Sequence, residues 1–120
     1  MFEICVEHSF AAGHALRNYR GKCENVHGHN YRVQVTVEGP ELDENGLLHD
    51  FADLKRRLRQ TSEYLDHHFI NDLKPFDEIN PSAENIARFI YGEVQKDLHT
   101  ARVSAVKVWE TDTSFAVYRP

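Results

Sequence analysis

The sequence predicts an α+β fold, an antiparallel four-stranded sheet with two helices on one face, in the order β-β-α-α-β-β. Three observations predict it. A period-two run occupies 31–38, two amphipathic stripes with helix-start signals fill the middle of the chain, and two strand-like runs close it.

Residues 2–14 open with Phe, Ile, Cys and Val and read as a first strand. Ala15–Val26 carries Arg, Asn, Gly and Lys without periodicity and reads as a loop. Tyr31, Val33, Val35 and Val37 then alternate with Arg32, Gln34, Thr36 and Glu38, the pattern of a half-buried antiparallel strand. Gly39-Pro40 ends it, and Asp43-Glu44-Asn45-Gly46 supplies turn chemistry.

Asp50 is an N-cap candidate for the first helix. Phe51, Leu54, Leu58 and Leu65 make its apolar stripe, with Lys55, Arg56, Arg57 and Arg59 largely outside it. Asn80-Pro81-Ser82-Ala83-Glu84 reads as the second helix start, and Ile86, Phe89, Ile90 and Val94 as its apolar face. Strands near 102–111 and 114–119 follow, joined at Thr111-Asp112-Thr113. Such a layer leaves sheet edges open, which predicts pairing with other subunits and a homo-oligomer.

Composition narrows the function. The chain has 120 residues, 41% hydrophobic and 28% charged, and neither a repeat nor a linker interrupts it. One domain over residues 1–120 is expected. A formal charge of -5 without a basic run argues against nucleic-acid binding. No segment approaches the ~20 apolar residues of a membrane span. The N-terminus has an early Glu and no basic stretch, so a secretory signal is not expected and a cytoplasmic location is. There both cysteines would stay reduced. Cys5, between Ile4 and Val6, is expected as a buried small hydrophobe, whereas Cys23 sits in a polar loop.

The chemistry concentrates in Cys23-Glu24-Asn25-Val26-His27-Gly28-His29 and in His14 upstream. On an extended backbone His27 and His29 project to one side, and Gly28 between them is read as permitting close approach or unusual dihedrals. His14 reaches the same point if the first two strands pair. Three imidazoles leave a position open for water or substrate, as catalytic zinc sites do. Imidazole also suits iron, copper and nickel, and zinc is the single best choice. Cys23 is either a fourth ligand or a thiolate acting as base or nucleophile beside the cation.

Asp66-His67 offers a carboxylate that could orient an imidazole for proton transfer, with His68 a competitor for the role. Glu110, in Val108-Trp109-Glu110-Thr111, could accept paired N–H bonds from a planar heterocycle. Against each stands the plain alternative of a solvated side chain at an element's end.

Together Phe10-Ala11-Ala12-Gly13-His14, Cys23-x-x-x-His27-Gly28-His29, Leu65-Asp66-His67, Pro81-Ser82-Ala83-Glu84-Asn85 and Trp109-Glu110-Thr111 resemble the 6-pyruvoyltetrahydropterin synthase family. The gap from Cys23 to His27 is similar to that of its bacterial branch, the 6-carboxy-5,6,7,8-tetrahydropterin synthases of queuosine biosynthesis. The resemblance implies the tunnelling fold (T-fold), with subunit sheets joined into a barrel. It further implies a homohexamer of two trimers with active sites at subunit interfaces.

As activity the resemblance implies a Zn²⁺-dependent lyase. Its substrate would be 7,8-dihydroneopterin triphosphate, converted to 6-carboxytetrahydropterin with loss of acetaldehyde and triphosphate. Carried over, His14, His27 and His29 would bind Zn²⁺, Cys23 would be the base, and Asp66 with His67 a relay. Glu110 would anchor the pterin, with Ser82, Ala83 and Glu84 lining the pocket. Arg17, Arg20 and Lys22 are loop cations available to the triphosphate.

One departure stands beside Cys23. Glu24 creates a Glu-x-x-His-Gly-His pattern that, within the family, resembles a folate-directed branch making 6-hydroxymethyl-7,8-dihydropterin, so Glu24 is an alternative base. Pyruvoyl-forming activity, a non-catalytic metal- or pterin-binding module and a structural zinc protein are the other readings.

Overall fold

The computed structural model describes residues 1–19, 21 and 24–120. Strands β1 (Phe2–His14), β2 (His27–Gly39), β3 (Arg102–Thr111) and β4 (Ser114–Tyr118) form one antiparallel sheet in the order β1-β2-β3-β4. Helices α1 (Phe51–Leu65) and α2 (Ala83–Gln95) intervene between β2 and β3, giving the expected β-β-α-α-β-β order. Among the described residues, no helix is long and apolar enough to cross a membrane.

Both helices cover the same face, α1 against β1 and α2 against β3 and β4. Strand alternation therefore decides burial. Val6, Phe10 and Ala12 of β1, Tyr31 to Val37 at alternate positions of β2, and Val103, Val106 and Val108 of β3 form the sheet's half of the core. Leu54, Leu58 and Leu65 of α1 and Ile86, Ile90 and Val94 of α2 close over them. Phe51 departs from the expected stripe. It is the first residue of α1 and is exposed, and the buried Thr61 and Ser62 complete the face instead.

Cys5 is a second departure. It lies on the uncovered face of the sheet, exposed, its Sγ 3.1 Å from Thr36 Oγ1. The alternation that buries Val6 turns its neighbour outward, and no helix covers that side.

Asp50 caps the first helix as the sequence predicts, and the second, expected to have Pro81 near its first turn, starts after Ser82 as its cap. The Asp50 carboxylate accepts from the Ala52 N–H at 2.8 Å, and Ser82 Oγ accepts from the Asn85 N–H at 3.2 Å. The end of α1 is less ordinary. Asp66 caps it, and His67 follows with φ 58°, a left-handed conformation that an L residue other than Gly adopts at a cost. A short 3-10 turn at Ile70–Asp72, unpredicted, then drives Ile70 fully into the core.

A charged clasp joins the helices. The Asp53 carboxylate accepts from Arg57 Nε at 2.8 Å and from Arg56, and lies 2.6 Å from His49 Nε2. Arg57 in turn donates to the carbonyls of Val94, Lys96 and Asp97, the unpaired acceptors at the end of α2. His49 Nδ1 reaches Thr100 Oγ1 at 2.7 Å. The Arg57 guanidinium, foremost, holds the Asp53 carboxyl well below the usual carboxylate range against the opposing effect of burial.

Because the folded state favours the ionised form, the clasp's contribution is complete above the unfolded carboxylate's ordinary value. It is lost as pH falls toward the depressed one. Asp53→Asn should cost about 1–2 kcal/mol at pH 7 in urea unfolding. The gap from wild type should stay level down to about pH 4 and narrow below it.

Candidate functional site

The inward row that builds the core also builds the site. Pairing places His14 opposite His27 and Ala12 opposite His29, so three imidazoles stand at one end of the face that Phe10 and Tyr31 occupy further along. Glu110 joins them from β3. Arg32 pairs with Trp109, which sets Tyr31 and Glu110 on adjoining positions of neighbouring strands. The β3–β4 register shifts between Trp109 and Thr111, a bulge at Glu110 of the kind that re-aims a side chain. Trp109 faces the other way, under the Arg32 guanidinium at 3.8 Å, and takes no part.

One ligand atom from each of His14, His27, His29 and Glu110 lies within 4.8 Å of all the others, the only such group among the described residues. Tautomers follow from their partners. His14 Nδ1 lies 2.7 Å from the Pro81 carbonyl and His27 Nδ1 lies 2.7 Å from the Asn25 carbonyl. A carbonyl only accepts, so both Nδ1 atoms carry the proton and both Nε2 atoms present lone pairs. Those lone pairs face each other at 3.0 Å, where neither can donate.

His29 Nε2 is buried with no hydrogen-bond partner, although Glu110 Oε1 stands 3.3 Å away, and Glu110 Oε2 is 3.9 Å from His14 Nε2. Converging lone pairs beside a carboxylate are unfavourable alone and favourable around a cation. Ligands held about 2.0–2.1 Å from a tetrahedral zinc are about 3.4 Å apart, the spacing these separations bracket. The donor set fits Zn²⁺.

Burial, foremost, lowers the basicity of His14 and His29, outweighing the Glu110 charge that opposes it. Both imidazoles are thus neutral at pH 7, the form that ligates. Tyr31 lies beneath them, its ring stacked on Phe10 at 5.0 Å and its edges toward His14 and His29. Its hydroxyl is buried and unpartnered, a condition that costs about 1–3 kcal/mol. Burial and then the Glu110 charge raise its pKa far above the ordinary phenol value.

The segment after His14 is held by two asparagines that the sequence reading did not single out. Asn71 exchanges hydrogen bonds with the Ala15 N–H and C=O at 2.9 and 2.8 Å. Asn80 does the same for Arg17 at 2.8 and 2.9 Å. They act as one-residue strand partners and fix His14 against Pro81. Their signal was present in Ile70-Asn71-Asp72 and Asn80-Pro81, but nothing in those strings says which backbone they pair.

Arg17 differs from expectation. Its guanidinium donates to the carbonyls of Asn71, Phe76 and Ile79 and braces this same loop, so it is engaged as structure. Gly28 also differs, having ordinary extended backbone opposite Gly13, with the nearest obstacle to a Cβ, Ala12 O, at 3.7 Å.

Asp66 and His67 are brought together at the end of α1. Asp66 Oδ1 accepts from the Ala11 N–H at 2.9 Å and stands 2.9 Å from His67 Nδ1. The Ala11 N–H, then His67, lowers the Asp66 pKa. His68 Nδ1 turns instead to the Asp66 carbonyl at 2.8 Å, so His67 is the imidazole the carboxylate orients. That ring is 81% exposed. It borders a shallow cleft with Gly13, Gly28, Phe69 and His29, one of the cluster's imidazoles.

Ser82 caps α2 and is half-buried, Ala83 is buried and Glu84 exposed. Their turn meets the cluster through the Pro81 carbonyl on His14. Glu24 is exposed, its N–H donating to the Gly21 carbonyl at 3.2 Å. Cys23, Arg20 and Lys22 lie outside the described residues.

A model of the 6-pyruvoyl tetrahydropterin synthase family matches residues 3–120. The chain belongs to this family. Relatives within it carry different names at comparable distance. The 6-carboxy-5,6,7,8-tetrahydropterin synthase of Bacillus subtilis is 38% identical, covering 99% of this chain and 86% of that protein. The Haemophilus influenzae protein of the same name is 34% identical over 99% of both. The human 6-pyruvoyl tetrahydrobiopterin synthase is 36% identical over 92% of this chain and 86% of that one. Among solved structures, the Caenorhabditis elegans 6-pyruvoyl tetrahydropterin synthase superposes with a TM-score of 0.86 at 26% identity, covering 100% of this chain and 97% of that one. The fold is that of the family, the T-fold.

Zinc titration should read the cluster directly. Because the His14 and His29 values are lowered, protons should compete with the metal for these two imidazoles only below the ordinary histidine range near pH ~6.5. His14→Ala, His27→Ala or His29→Ala should each abolish tight binding in a chelator competition assay.

Proposed function

We propose that this chain is a zinc-dependent lyase. It converts 7,8-dihydroneopterin triphosphate and water to 6-carboxy-5,6,7,8-tetrahydropterin, releasing acetaldehyde and triphosphate, in queuosine biosynthesis. The observation that carries this reading is the pair of bacterial 6-carboxy-5,6,7,8-tetrahydropterin synthases matched over 99% of the chain. The three convergent Nε2 atoms give it a physical basis.

His14, His27 and His29 would hold Zn²⁺, which when bound supplies Lewis-acid stabilisation of negative charge developing on substrate oxygen. Burial keeps His14 and His29 unprotonated, and Pro81 and Asn25 fix which nitrogen of His14 and of His27 ligates. Glu110 would accept the paired N–H edge of the pterin, and the Ser82–Glu84 turn would line the pocket behind His14. Cys23, four residues before His27, would remove the proton from carbon as a thiolate. Asp66 would keep His67 oriented to shuttle protons during triphosphate loss and carbon–carbon cleavage. With Arg17 engaged in its loop, the triphosphate falls to Arg20 and Lys22.

We further infer one catalytic domain over residues 1–120, acting in the cytoplasm as a homohexamer with sites at subunit boundaries. The exposure of the His67 imidazole supports that arrangement, because it leaves the relay open to a neighbouring subunit. The uncovered sheet face and the free length of β1 supply the surfaces.

The second reading is a folate-directed or 6-pyruvoyl-forming enzyme. It is favoured by Glu24 beside Cys23 and by the human relative at 36% identity. Product analysis by mass spectrometry separates the two. Wild type should yield the 6-carboxy product from dihydroneopterin triphosphate. Cys23→Ala should lower its rate by about 10²–10⁴-fold, the usual share of a general base, with Glu24→Ala near wild type. A 6-hydroxymethyl product dependent on Glu24 would move the assignment to the second reading, and no product would end both.

A further inference from the structure

Two side-chain polar atoms among the described residues are buried without a hydrogen-bond partner, His29 Nε2 and the Tyr31 hydroxyl. They sit two residues apart on the same face of β2. The first is explained by a cation. The second is not, since a phenol is not among the usual ligands of zinc.

Packing does not require that hydroxyl. The Tyr31 ring already stacks on Phe10, its cross-strand partner, and the inward row continues as Val33, Val35 and Val37, all apolar and fully buried. Phenylalanine would serve the core equally. The oxygen adds only a donor, in a place where an unmade hydrogen bond is destabilising.

The adjoining acceptor is Glu110. The β2–β3 register, with Arg32 opposite Trp109, sets the two residues at neighbouring inward positions of adjacent strands. The Glu110 carboxylate leans toward His29 and His14 with contacts of 3.3 and 3.9 Å and is 27% exposed, so one side of it is open to a ligand.

We propose that Tyr31 is a positioning residue of the site, its hydroxyl donating to the Glu110 carboxylate once the cluster is loaded and fixing how that carboxylate faces the bound ligand. Tyr31 would act only through Glu110. This rests on the metal reading above and adds a residue to it.

Tyr31→Phe, Glu110→Gln and the double variant, each prepared metal-free, test the assignment. Metal-free Tyr31→Phe should melt at or above the wild-type temperature, because the substitution removes an unpartnered group. A clear drop would mean that the hydroxyl has a structural partner and would overturn the proposal. In chelator competition with Zn²⁺ alone, Glu110→Gln should weaken binding about 10–100-fold, as loss of an outer partner does. Tyr31→Phe should weaken it about threefold to tenfold, and the double variant should bind no more weakly than Glu110→Gln.

Binding by Tyr31→Phe within twofold of wild type, or losses that multiply in the double variant, would refute the coupling. Should wild type bind no zinc, the metal reading fails instead. The same cycle read by neopterin fluorescence then decides the Tyr31 assignment by the same criterion, and binding of neither probe refutes both.

Discussion

Everything in this molecule depends on the pairing of β1 with β2. The register that sets Phe10 against Tyr31 and Val6 against Val35 also sets His14 against His27. Core and site are one continuous row of inward side chains, apolar at one end and imidazole at the other. A slip of one residue would turn that whole row to the uncovered face, removing the core and the cation site together. Folding correctly and presenting the imidazoles are therefore the same event. The buried aromatic and valine contacts stabilise an arrangement that the unpaired nitrogens alone oppose.

Much of this was legible because alternation is a local signal. Tyr31, Val33, Val35 and Val37 declare their face, and His27 and His29 fall on it by simple extension. The Asp50 cap was equally readable, since a cap is decided within a few residues. What could not be read depends on partners distant in sequence. Asn71 and Asn80 look like loop residues until the backbone of Ala15 and Arg17 is brought beside them. Arg17 looked free for the same reason. Cys5 was misjudged on residue type, although its own alternation with Val6 put it outward. Glu110 was legible as a carboxylate at a strand end, but the bulge that aims it at the histidines was not.

The supporting shell around the cluster is mostly backbone. Carbonyls of Pro81 and Asn25 choose the tautomers of His14 and His27, and side-chain amides hold the segment that carries Pro81. Such support is insensitive to pH and cannot be removed by a single charge change. It comes from two irregular segments, one before β2 and one before α2, each presenting one carbonyl oxygen to a histidine. Asn85 links the second of them to the helix, its side-chain amide donating to the Asn80 carbonyl at 2.9 Å.

The seat of Asp66 and His67 on β1 has an effect beyond orienting an imidazole. The Ala11 N–H and carbonyl are taken by Asp66 and His67, and the Gly13 N–H by the His68 carbonyl. Those are the outward groups of an edge strand, the ones a neighbouring chain would use to add itself to the sheet. The segment is a built-in terminator. It leaves β1 templating only over its earlier residues, so strand addition at this edge has a fixed stopping point. The sheet thereby gains a defence against unlimited edge-to-edge growth at this end of β1.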